Sequence, residues 1–117
     1  MAKGWHITKS EGQVTVSRQL PARFDVAVET QLAGGNAARL AMQIRQDLWR
    51  ALQNVRGFSP VVQITSVDGQ MNVQAGGRVM GKVTANLTAE IAAVLENAEN
   101  RTRWLKCAGY QRLKGSV

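Results

Sequence analysis

The chain has 117 residues, 44% of them hydrophobic and 20% charged, enough for one core and too few for two. No apolar run reaches the about 18 residues of a membrane span, and the first nine residues lack the apolar stretch of a secretory signal. A lone cysteine, Cys107, rules out an internal disulfide and fits a reducing compartment. The expectation is a single cytoplasmic domain over 1–117, with 110–117 as a flexible basic tail.

The formal charge of +7 is unevenly spread. Between Ser10 and Asn100 eight basic residues meet eight acidic ones, so the body is neutral. The excess comes from Lys3 and Lys9 at the front and from Arg101, Arg103, Lys106, Arg112 and Lys114 at the back. An electrostatic partner is therefore sought at the C-terminal end.

Trp5–Lys9 and Gln13–Gln19 are short alternating runs on either side of Ser10-Glu11-Gly12, the pattern of a hairpin of half-buried strands. Leu20–Leu32 supports two readings. As a strand it turns Phe24, Val26 and Val28 inward; as a helix it begins at Pro21, stripes Phe24, Val28 and Leu32, and ends at Gly34-Gly35. Charge segregation favours the strand. Asn36–Arg56 is the clearest element: Ala37, Leu40, Ile44, Leu48, Leu52 and Val55 recur at helical spacing, with Asn36 as N-cap and Gly57 as a left-handed terminator.

Beyond Pro60, Val61–Val67 and Gln70–Gln74 flank Asp68-Gly69, a strong two-residue hairpin signal. Gly76–Val83 reads as a flexible or strand-edge segment, and Thr88 as the cap of a helix carrying Ile91, Val94 and Leu95 inward. The apolar period falters at 97–100, marking a kink or a fresh N-cap. A helical stripe with Trp104, Leu105 and Ala108 then runs to Gly109. The order β-β-(β)-α-β-β-α predicts an α+β fold: two layers, a mainly antiparallel sheet of four to five strands packed by one long and one kinked C-terminal helix.

Little in the chain points to catalysis. Gly76-Gly77-Arg78-Val79-Met80-Gly81-Lys82-Val83 nearly matches a phosphate-binding loop, but Val83 stands where the motif needs a hydroxyl. No strands that could form the rest of a parallel sheet follow it. His6 and Cys107 are the sole imidazole and thiol, too few for a zinc site, and Cys107 reads as a small buried thiol. No catalytic residue, cofactor, metal, membrane or small-molecule substrate is expected.

Two clusters carry the functional expectation. On the long helix Trp49 lies off the core stripe beside Arg45 and Arg56, where it either covers the sheet edge, with Arg56 laid on its ring, or anchors a partner. Near the C-terminus Leu105, Ala98 and Thr102 can face the core. Arg101, Arg103, Trp104, Lys106, Arg112 and Lys114 would then make a basic, aromatic patch for single-stranded RNA or DNA, unless Trp104 belongs to the core. The favoured reading is a non-enzymatic protein-interaction or accessory module, self-associating or part of an assembly, using Arg45, Trp49, Arg56 and an open strand at Gly76–Val83. The alternative is a small basic nucleic-acid-binding protein.

Overall fold

Five stretches in which apolar and polar residues alternate pair into one antiparallel sheet in the computed structural model, which describes residues 4–109. In chain order they are β1 (His6–Ser10), β2 (Gln13–Ser17), β3 (Val26–Ala33), β4 (Phe58–Val67) and β5 (Gln70–Val79). Across the sheet they lie β1-β2-β4-β5-β3. Three helices, α1 (Ala37–Leu52), α2 (Ala85–Glu96) and α3 (Ala98–Cys107), complete a two-layer α+β fold. No helix is long and apolar enough to cross a membrane among the described residues.

The pleat decides which side chains meet the helices. Val14 and Val16 of β2, Val62 and Ile64 of β4, and Val73 and Ala75 of β5 stand in register on one face and are buried. Leu40, Ile44 and Leu48 of α1, Ile91 and Leu95 of α2, and Trp104 of α3 close over them with no exposed surface. Such burial contributes about 1.5–3 kcal/mol per large aliphatic side chain.

Local signals set most boundaries. Asp68 and Gly69 both take positive φ, 50° and 81°, the turn whose twist suits a two-residue hairpin between β4 and β5. Asn36 caps α1 by accepting from the Arg39 amide at 2.9 Å, and Asn97 opens α3 as a fresh cap, accepting from Asn100. Of the ambiguous segment 20–32, the part from Val26 onward is a strand, β3 (Val26–Ala33), which pairs with β5 over its whole length; residues 20–25, including Phe24, precede it.

Four expectations need correction. Helix α1 stops at Leu52, one turn early, so Gly57, at φ 75°, does not terminate it but serves the entry into β4. The cap of α2 is Thr84, whose hydroxyl accepts from the Leu87 amide, rather than Thr88. Cys107 is exposed, because the inward positions of α3 are Trp104 and Ala108. Most consequential, Gly76 and Gly77 are neither loop nor edge. They lie inside β5 between β3 and β4, where a Cβ would collide with the Val26 and Ser59 carbonyl oxygens respectively. That close approach explains the glycines and removes both the phosphate-loop and the open-strand reading. The sheet edges are β1 and β3.

Candidate functional site

The hairpin register builds the site. Since His6 faces Ser17 and Ile7 faces Val16, the next position sets Trp5 opposite Arg18 on the helix-facing side. Helix α1 brings up Arg45 and Trp49, four residues apart and hence on one flank. The Trp5 and Trp49 rings meet edge to face at a centroid distance of 6.5 Å and an angle of 84°. The Arg45 guanidinium carbon stands 4.5 Å from the Trp5 ring centre, and that of Arg18 stands 5.3 Å from it. Trp5 is half-buried against the core, whereas Trp49 is 42% exposed.

Two like charges therefore converge on one indole. Arg18 and Arg45 have no carboxylate partner among the described residues, and the Arg45 Nε is buried without a hydrogen-bond acceptor. Burial, and then the charge of Arg18, pull the Arg45 pKa below the ordinary arginine value. The guanidinium stays charged, so the cluster presents positive charge beside an accessible aromatic surface.

Of the expected interaction residues, Arg45 and Trp49 are brought together. Arg56 is exposed beyond the end of α1, and the stacking cations are Arg18 and Arg45, both on Trp5. Trp5 and Arg18 were missed by the sequence reading. Their signal was the turn at Glu11-Gly12, which fixes the pairing of the two arms.

The C-terminal patch comes apart. Trp104 has no exposed surface, and its Nε1 donates to Asp47 Oδ2 at 2.6 Å, so it offers no ring for a base. Arg103 pairs with the same Asp47 at 3.0 Å and donates to Asn100. Arg101 faces inward, donating to Thr30 Oγ1 and to the Leu95 and Gln31 carbonyls. The expected inward face of Ala98, Thr102 and Leu105 is rotated: Ala98 and Thr102 are exposed and Leu105 is half-buried. The indole buries a large apolar area in a single side chain, and Asp47 accepts from its one polar atom. Lys106 is exposed; Arg112 and Lys114 lie outside the described residues.

The face of the sheet away from the helices holds a shallow trough of 520 Å³, lined by Glu29, Gln31, Gln63, Thr65, Asn72 and Gln74 among others. Amides and hydroxyls bond across strands there, Gln63 Nε2 to Thr15 Oγ1 at 3.1 Å and Gln13 Nε2 to Thr65 Oγ1 at 3.3 Å. Its one ionisable side chain is an acid, Glu29, and no aromatic residue lines it. A phosphate backbone finds neither a cation nor a stacking surface in this trough.

Comparison with protein-family models, with curated proteins and with solved structures finds no match to this chain.

Proposed function

We propose that this protein is a non-enzymatic protein-interaction or accessory module, and that its partner docks on the flank formed by Trp49, Arg45, Trp5 and Arg18. One observation carries the reading. A tryptophan outside the core cluster stands 42% exposed beside guanidinium groups that pair with no acid among the described residues. Tryptophan and arginine dominate the energetics of protein interfaces, because each buries a large area and fixes a direction of approach. A second copy of the chain is an admissible partner, as is another subunit of an assembly.

The test compares wild-type protein with Trp49→Ala. Sedimentation velocity reports self-association, and affinity capture followed by binding of the purified candidate reports a heterologous partner. Trp49→Ala is expected to retain a cooperative thermal transition and to weaken the interaction at least about tenfold, or 1.4 kcal/mol. Association or partner binding indifferent to that substitution would overturn the assignment of this surface.

A further inference from the structure

From the uncompensated charge at the same site we infer that the partner presents an acidic, hydrophobic peptide segment, with carboxylates seated on Arg18 and Arg45 and an apolar side chain against Trp49. The inference rests on the docking surface proposed above and names the chemistry of what docks. Both guanidiniums lie within 5.3 Å of the Trp5 ring centre. The two guanidiniums repel each other, and an anion placed between them and solvent relieves that repulsion. Guanidinium groups match carboxylates with paired donors.

A phosphate-bearing strand would also satisfy two arginines, but neither the described part of the basic C-terminal helix nor the sheet trough continues such a track. Single-stranded nucleic acid needs cations along a groove and successive aromatic platforms. Arg101 and Arg103 are held in internal bonds, Trp104 is sealed, and the sheet trough contains an acid and no aromatic ring. Around the Trp5–Trp49 contact the footprint is compact: two guanidiniums and one accessible indole. That footprint suits a few residues of an acidic segment better than an extended polyanion.

The probes are a fluorescein-labelled peptide alternating aspartate with leucine and phenylalanine, its asparagine counterpart, and a labelled ten-nucleotide oligothymidylate. Anisotropy is measured on the full chain at low and at physiological salt. The acidic peptide is expected to bind at least about tenfold more tightly than its neutral counterpart. Affinity should fall as salt rises and fall about threefold or more in Arg18→Gln, whose side chain is exposed, and further in the Arg18→Gln/Arg45→Gln double variant. Equal binding of acidic and neutral peptides, or a tighter complex with the oligonucleotide, would overturn the inference. If the acidic peptide fails while partner binding still depends on Trp49, the docking surface stands and only its proposed chemistry is lost.

Discussion

Trp104 of α3 donates its indole N–H to Asp47 of α1 at 2.6 Å, in a setting where neither side chain is more than marginally exposed. The bond joins the two helices, and Arg103 closes over the same carboxylate at 3.0 Å. Asp47→Ala leaves the buried Trp104 N–H without an acceptor and Arg103 without its counter-charge, and is expected to lower stability by about 3 kcal/mol. Asp47→Asn keeps an acceptor and should cost about 1 kcal/mol. Urea unfolding followed by circular dichroism checks both; equal midpoints for the two variants would contradict the assigned role.

Arg101 should behave as a structural residue. Its guanidinium donates to the Leu95 carbonyl near the end of α2 and to Thr30 Oγ1 and the Gln31 carbonyl on β3. Arg101→Gln cannot reach all three and is expected to cost about 2 kcal/mol in the same unfolding measurement. Substituting exposed Lys106 with Gln should change stability by less than about 0.5 kcal/mol.

Gly76 and Gly69 separate close approach from backbone conformation. A Cβ on Gly76 meets the Val26 carbonyl, so Gly76→Ala must part β3 from β5 and is expected to lose about 3 kcal/mol or to abolish folding. Gly69 has open space around it but a φ of 81°, and Gly69→Ala should cost about 1–2 kcal/mol. Soluble yield and thermal midpoint rank the two variants.

Asp25 gives an acid-side prediction. Its bonds from Arg23 and then from the Val79 amide hold its carboxyl below the usual aspartate range, with Arg78 adding to the effect against an opposing desolvation. A depressed folded-state pKa means the contribution is present above the ordinary aspartate value, about 3.9, and disappears as pH falls through the lower folded value. The wild type should therefore lose more stability than Asp25→Asn on acidification below about pH 4. Parallel stability curves for the two proteins over that range would contradict this.

The elements were legible where local chemistry and periodicity agree. Asn36, Asp68-Gly69 and the Leu40–Ile44–Leu48 stripe each specify their structure without reference to the rest of the chain. Gly76-Gly77 misled because glycine has the same local signature in a loop and between two closely spaced strands; only the tertiary neighbours Val26 and Ser59 distinguish them. The sequence allowed Trp104 either in the core or in a surface patch; it turns inward, as its stripe with Ala108 indicated, and Asp47, 57 residues away, receives its N–H. Half of the candidate site was readable from the Arg45–Trp49 spacing. The opposition of Trp5 and Arg18 followed from the hairpin register, but its meeting with α1 is a long-range contact that no local pattern encodes.

Tryptophan quenching by iodide and by caesium at matched ionic strength reports directly whether an accessible indole stands beside guanidinium groups that have no acidic partner among the described residues. An attractive field concentrates the anion, so the iodide-to-caesium quenching ratio of the wild type should exceed that of neutral N-acetyltryptophanamide about threefold or more. The Arg18→Gln/Arg45→Gln variant should lose most of that excess. A ratio no higher than that of N-acetyltryptophanamide, or an iodide preference undiminished in the double variant, would contradict the account.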